Sequence, residues 1–516
     1  MPGGTETLAE RRDLLVKSVP WATDLLIAVR REGYVLTHVR HVRGPTWFVR
    51  LAPPQHIQEG LGLAPELLVV VVRGKVLARD IQEAHTEVVR SGLRLDANLS
   101  VVADEEPACL TDRLTRIGGH GHRVAWRPAR DETWPSLTSV LRAALPGFDA
   151  YEERDAVRGP QLIGRDAEVA HLRTRIVRGD AVGLFGLRKM GKTSVMRAVT
   201  DWFDPASGLR DETSEVDAPA SGIAVVMDAS LLIDRTVDAI ADELLAALAR
   251  RMRSASEPMP PAGNGGLRGW KSAGETLLDR GTRLCIAIDE YDLLYEGEGG
   301  ELPIPALGKL FRLLRGWAQT RQGLVSLILV GRDPTYLSAP ELDGVTSPLI
   351  AWCTPMWLKP LSPAKATELL RKLGRRVGLD VGPASAALAM EWTGGHPLLQ
   401  RQFGSALRHA TRERDPAWGA QTDTWATQSV TKFQGRDAVL AVMQEVVALL
   451  HKRYPDALAL LRNLALRHEG HDSLALAGAS RILKDFGLVD DGDELPRGLA
   501  WYLRTLAPRS DLRKTG

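Results

Sequence analysis

Short runs of apolar residues punctuate the first third of the chain. They predict strands at Tyr34–Val39, Trp47–Leu51, Leu67–Val72, Leu99–Ala103 and Arg123–Trp126. Leu77, Ile81, Ala84 and Val88 recur at helical spacing and predict a helix over Val76–Ser91. Strand and helix in turn suggest a small α/β domain over residues 1–150. From Leu162 to Leu361 the runs become continuously apolar, at Ala181–Phe185, Ile223–Met227, Leu284–Ile288 and Leu324–Val330. Such runs predict strands covered on both faces of a parallel sheet. A stripe of Leu307, Leu310, Phe311, Leu314 and Trp317 predicts one of the intervening helices. Asp204–Gly222 and Ser254–Gly269, rich in Pro, Gly, Ser and acids, read as surface loops.

Beyond Pro363 the pattern is helical to Arg412, and a polar linker is expected over Asp415–Arg436. Helices follow at Ala438–Leu450, Ala457–Leu466 and Ala477–Phe486. Leu488–Leu495 reads as a hairpin with an Asp491-Gly492 turn. No repeat of fixed period is visible.

Composition narrows the class. With 516 residues and a formal charge of +2 from 66 basic and 64 acidic residues, the chain has no overall attraction to nucleic acid or anionic membrane. The three cysteines, Cys109, Cys285 and Cys353, are far apart and exclude a disulfide framework or a zinc ribbon. The first residues lack a signal-peptide pattern, and Leu67–Val72 is too short to span a bilayer. A cytoplasmic protein is expected.

One segment carries specific chemistry. Gly186-Leu-Arg-Lys-Met-Gly191-Lys192-Thr193 has the G-x-x-x-x-G-K-[ST] form, preceded by a predicted strand and followed by a predicted helix at Ser194–Trp202. Such a loop turns its N–H groups inward as an anion nest at a helix N-terminus, with backbone from Gly186, Lys189, Met190, Gly191 and Ser194. Lys192 would meet the β- and γ-phosphates of ATP, and the Thr193 hydroxyl would ligate Mg²⁺. Asp289 and Glu290 end the run Leu284–Ile288. Asp289 is the candidate metal partner, and Glu290 the group that would polarise an attacking water. Asp292 reads as a solvated residue or helix cap. Arg332, after Leu324–Val330, would either reach the γ-phosphate or pair with Asp333 or another neighbour.

Together these elements resemble the STAND class of P-loop NTPases and related prokaryotic ATPases of the archaeal type. Leu162-Ile-Gly164-Arg165-Asp166-Ala-Glu168 is similar to that class's opening motif, with Asp166 in place of a Glu. The resemblance implies that Gly164 and Arg165 lie near the adenine. Trp357-Leu-Lys-Pro-Leu361-Ser-Pro is similar to the stretch joining the last sheet strand to a helical lid, and Thr393-Gly394-Gly395-His396-Pro397-Leu398 to the lid motif whose proline packs on the adenine. The resemblance implies a parallel-sheet ATPase core over 158–361, a lid over 362–412 and a winged helix over 437–510. It implies a switch set by ADP and ATP, slow hydrolysis, nucleotide-dependent homo-oligomers and a separate protein trigger or effector. A prokaryotic conflict or phage-defence role goes with it. The family's usual repeat array is not visible, so the trigger is left to the N-terminal domain or a partner.

The alternative is an AAA+-like DNA loader of the origin-recognition kind, which also joins such a core to a winged helix. That group has an arginine in its lid motif; here none occurs until Arg401. Arg481 and Lys484 could face DNA, but Asp485, Asp490, Asp491, Asp493 and Glu494 adjoin them and favour intramolecular packing. A third option places an ATPase-gated enzyme in residues 1–150. There His120 and His122 offer a metal or a structural role, and Cys109 is either a nucleophile beside His120 or part of a buried segment. Asp104, Glu105 and Glu106 read as nuclease carboxylates or a solvated strand end, and no E-x-K follows. Arg40, Arg43 and Arg50 around Trp47 read as a nucleic-acid surface or a charged hairpin edge.

Overall fold

The computed structural model describes residues 6–506 except 92–93, 118–121, 129–132, 153–155, 158–161, 206–215, 256, 296–303, 305, 336, 338–339, 343–344, 351, 467–472 and 491. In the N-terminal domain β1 (Val35–Arg43), β2 (Thr46–Ala52), β3 (Glu66–Val72), β4 (Leu95–Asp104) and β5 (His122–Ala125) form one sheet in that spatial order. Strand β2 runs antiparallel to both neighbours, and β3, β4 and β5 are parallel. The pleat explains the apolar run of β3. Leu67, Val69 and Val71 pack against helices Leu8–Ser18, Ala22–Arg31 and Leu137–Ala144, while Leu68, Val70 and Val72 face helices Ala78–Ser91 and Leu110–Ile117.

The second sheet is entirely parallel. Its strands β6 (Ala181–Phe185), β7 (Gly222–Asp228), β8 (Arg283–Asp289) and β9 (Val325–Val330), with an edge strand at Cys353–Trp357, lie in the order edge strand, β6, β9, β8, β7. The edge strand carries Pro355 and no continuous apolar run, which an edge tolerates. Helices Asp166–Val177 and Lys192–Phe203 cover one face, and Val237–Ser254, Gly266–Asp279 and Leu307–Thr320 the other. Both ends of every βαβ step therefore bury apolar surface, and loops between the strands gather at one rim.

The lid comprises helices Pro363–Arg376, Pro383–Thr393 and Pro397–Arg412, and it shares one core with the first face of the sheet. The expected polar linker is instead part of this lid. Ala420–Gln421 bridges Leu379–Asp380, Asp423 accepts the N–H of Ser385 at 2.7 Å, and helix Ala426–Gln434 buries Phe433 against Phe403. Its apolar residues are too sparse to show a period, yet Phe433 is fully covered.

Helices Asp437–Arg453, Pro455–Leu466, Ser473–Asp485 and Arg497–Leu506 make the C-terminal unit. The expected hairpin does not form among the described residues. Asp490 closes a turn instead, its carboxylate accepting the N–H groups of Gly492 and Glu494 at 2.9 and 2.8 Å. The Asp490 N–H also donates to the Glu494 carbonyl at 3.1 Å, and no strand ladder continues from this turn among the described residues. No helix among the described residues is long and apolar enough to cross a membrane.

The N-terminal domain rests on the lid. Arg376 Nη2 and Asp96 Oδ1 form a buried pair at 2.8 Å. The Tyr151 hydroxyl donates to the Leu370 carbonyl at 2.8 Å, and its ring lies on Gly404, where a Cβ would come within 2.2 Å of a ring carbon.

Candidate functional site

Strand β6 delivers the loop at Gly186–Thr193 to the rim, and the helix Lys192–Phe203 starts from it. Gly191 holds φ at +92°, a conformation that side chains rarely adopt, so the turn depends on glycine there. The Lys192 ammonium donates to the carbonyls of Gly186 and Leu187, both at 2.8 Å, and lies inside the loop it belongs to. Burial lowers its pKa, and Glu290, Asp292 and Asp289 act in the opposite sense.

The acids of β8 arrive beside this loop although β9 separates β8 from β6. The Thr193 hydroxyl donates to Asp289 Oδ2 at 2.7 Å. Burial raises the Asp289 pKa, against the pull of the Thr193 bond. Glu290 has φ at +51°, in the left-handed region, and its N–H is accepted by Asp289 Oδ1 at 3.0 Å. That strained turn aims a second carboxylate at the same cleft, a recurrent use of backbone strain at working sites.

The cleft measures ≈ 240 Å³ and is bounded by Lys189, Lys192, Thr193, Glu290, Pro397 and Arg401. Gly191 and Ser194 also border it, and Val157 and Leu398 give it an apolar side. Gly164, Arg165, Gly186 and Met190 lie behind the walls. Met190 is fully buried, and Gly164 is pressed against Lys365 of the lid. Arg165 is a brace: Nη2 donates to the Met190 carbonyl at 3.0 Å and Nη1 to Glu168 at 2.7 Å.

A lid residue braces the loop from the other side. His396 caps the helix Pro397–Arg412, its Nδ1 accepting the Leu399 N–H at 3.4 Å, so Nε2 carries the proton donated to the Arg188 carbonyl at 3.1 Å. Burial pushes its pKa down to about 4. The unfolded chain therefore binds a proton near pH 6.5 that the folded chain refuses, and this stability is present above that value and lost as pH falls towards 4. Between pH 6.5 and 5 we expect wild-type stability to fall by about 1 kcal/mol per pH unit more than that of His396→Gln, read by denaturant titration.

Arg332 contacts Asp292. Its Nε lies 3.6 Å from Asp292 Oδ2, and its backbone N–H donates to the same oxygen at 2.6 Å. Asp292 is fully buried, against the solvated position expected; burial pushes its pKa up to about 6, and the Arg332 N–H draws it back. Asp333 pairs with Arg453 of the C-terminal unit at 3.3 Å. Arg332 borders a crevice of ≈ 140 Å³ between the loop residue Arg188 and the helix Asp437–Arg453, next to the main cleft.

In the sequence Arg401 lies beyond the lid motif and carries no signal of its own. It stands four residues after Pro397, one helical turn, so both reach the cleft from the same face.

The other candidates resolve into structure. Arg40 and Arg50 bind the buried Glu87 at 2.6 and 2.5 Å, and Arg43 meets Glu83 at 3.4 Å, so the basic face is tied to helix Ala78–Ser91. Asp104 is buried, accepting from the Val76 N–H and from Arg113, while Glu105 and Glu106 pair with Arg73 and Lys75. Cys109 is exposed, against the buried segment expected. His122 stacks on Phe148 with centroids 4.2 Å apart, and burial lowers its pKa to about 4. His120 lies outside the described residues. No cluster of three metal-ligating side chains from His, Cys, Asp and Glu occurs among the described residues. Arg481 faces Asp485 at 3.9 Å, and Lys484 meets Asp493 at 3.1 Å.

A parallel sheet with a glycine loop after one strand and an acid after another, joined by Thr193 and Asp289, is the P-loop ATPase fold. Among solved structures, the chain is similar to a Walker-type ATPase of Pyrococcus abyssi, with a TM-score of 0.45 at 19% identity over 69% of this chain and 99% of that one. It is also similar to CDC6P from Pyrobaculum aerophilum, at 0.38 and 14% over 71% and 98%, and to the ORC2 protein of Aeropyrum pernix, at 0.39 and 14% over 69% and 96%. No protein-family model matches the sequence, and no curated protein does.

Proposed function

We propose that the chain is an ATP-binding, slowly hydrolysing switch of the STAND type. The observation that carries this is the 2.7 Å bond between Thr193 and Asp289 beneath a lid that contributes Pro397 and Arg401. The donor set suits a nucleotide with Mg²⁺. Lys192 is an ammonium held by two carbonyls that phosphate oxygens can replace, and Thr193 and Asp289 are hard oxygen donors already in contact. Bound there, Mg²⁺ would supply charge neutralisation for phosphoryl transfer. Glu290 would accept a proton from an attacking water, and Lys192 would hold phosphate charge.

The switch reading gains support from what touches the phosphate side of the loop. Arg453 is tied to Asp333, Tyr454 shares a hydrogen bond with Thr335 at 3.2 Å, and Glu445 meets Arg188 at 3.6 Å. The C-terminal unit is thus fastened to the segment after β9 and to the loop itself. Events in the cleft would move it as a lever, with assembly as the output. A separate protein trigger, and the conflict role, rest on the family resemblance. The test is mass in solution with ADP and with a non-hydrolysable ATP analogue. We expect a larger assembly with the analogue alone; equal masses at saturating nucleotide would overturn the switch, and absence of binding to either nucleotide the whole reading.

A further inference from the structure

We propose that Arg401 couples nucleotide occupancy to the N-terminal domain through the chain segment Pro146–Glu152. The proposal rests on the ATP-binding reading above and concerns a route that reading does not contain.

Pro146–Glu152 leaves the N-terminal domain and crosses the lid helix Pro397–Arg412. The helix holds it at four successive points. Arg408 Nη2 donates to the Pro146 carbonyl at 2.6 Å, and the Ser405 hydroxyl donates to the Asp149 carboxylate. Arg401 Nη1 donates to the Ala150 carbonyl at 3.4 Å, and the Tyr151 ring lies on Gly404. Positions 404 and 405 lie three and four residues after 401, and 408 lies four and three after them, so the four form one stripe along the helix. The same stripe begins in the cleft with Pro397 and Arg401. Arg401 is therefore where the strap and the nucleotide cleft meet.

The holds are unequal. At 3.4 Å the Arg401 bond is at the long limit of a hydrogen bond, whereas Arg408 makes a short one. A guanidinium bonds a phosphate far more strongly than a neutral carbonyl, because charge assistance and a bidentate fit add to each other. Polyphosphate in the cleft thus competes for Arg401 with the weakest of these polar holds. A second observation points the same way: Ala156 and Val157, just downstream on the same segment, border the cleft themselves. Once Arg401 turns towards phosphate, Ala150 and Tyr151 lose a restraint. The N-terminal domain, carried on the lid by Tyr151 and by the Asp96–Arg376 pair, is then held by one restraint fewer on the side of the strap.

Hydrogen exchange on the full chain tests this, with ADP, with a non-hydrolysable ATP analogue and without nucleotide. In the wild type the analogue is expected to raise exchange at residues 150–152 about three-fold or more, while slowing it at 186–193. In Arg401→Gln, exchange at 150–152 should be raised already and should not respond, although the loop is still protected at higher analogue concentration. Should that variant misfold, Arg401→Lys provides the comparison, with a smaller response than wild type because an ammonium lacks the planar fork. Unchanged or slower exchange at 150–152 beside a protected loop overturns the coupling alone. A loop left unprotected by the analogue overturns the coupling together with the ATP-binding reading.

Discussion

Glu290→Gln is expected to lower ATP turnover by about 10²- to 10⁴-fold while leaving nucleotide affinity within a few-fold of wild type. The amide keeps the shape and hydrogen-bonding reach of the carboxylate but cannot accept a proton at neutral pH. Glu290 borders the cleft, held there by a left-handed turn whose N–H is fixed to Asp289. Lys192→Ala should behave differently, losing both turnover and affinity. Its ammonium is the cation enclosed by the loop, and removing it leaves two carbonyls that repel phosphate. Calorimetric titration with ADP and ATP beside phosphate-release kinetics separates the two. If Glu290→Gln hydrolysed ATP at the wild-type rate, the acid would be structural and another group would serve as the base.

The second large effect concerns the joint between the N-terminal domain and the lid. Arg376→Ala is expected to weaken this joint by about 3 kcal/mol, because the buried Asp96 carboxylate then loses the guanidinium 2.8 Å away. The pair is 7% and 2% exposed, so water cannot substitute for the missing partner. Replacing both residues with leucine should restore most of the loss, since two apolar side chains avoid the desolvation of two charges. Denaturant unfolding combined with protease cleavage between residues 146 and 152 reads the effect. A single variant as stable and as resistant as wild type would show that the joint depends on Tyr151 and its neighbours instead.

Much of the architecture can be read along the chain because strands buried on both faces need uninterrupted apolar residues. Leu67–Val72 and Leu284–Ile288 show this directly, and both are central strands. The glycine loop is equally legible, since an anion nest demands its residues at fixed local spacing. Segments that bury little are harder to read. The edge strand Cys353–Trp357 is half exposed, and Ala426–Gln434 buries a single aromatic side chain in an otherwise polar stretch. The hairpin expected at Leu488–Leu495 is reduced to a tight turn, closed by the Asp490 carboxylate and by the Asp490 N–H donating to the Glu494 carbonyl.

Burial of polar groups was where the sequence misled. Asp292 looks solvated in an acidic run, yet the rim of the sheet encloses it and sets it against Arg332. Arg40, Arg43 and Arg50 look like a basic face until helix Ala78–Ser91 supplies Glu83 and Glu87. Arg401 looks remote from the lid motif until one helical turn carries it back to Pro397.

The buried strands, the phosphate-binding loop and the pair of acids are legible along the chain, because period, glycine and spacing are properties of neighbouring residues. Which charges neutralise one another and which face the cleft emerges from the folded chain. Those choices depend on side chains distant along the chain, such as Thr193 with Asp289, Asp333 with Arg453 and Asp96 with Arg376. The physical reason is that a charge's role is set by the dielectric and partners around it, and these exist only once the chain has closed on itself.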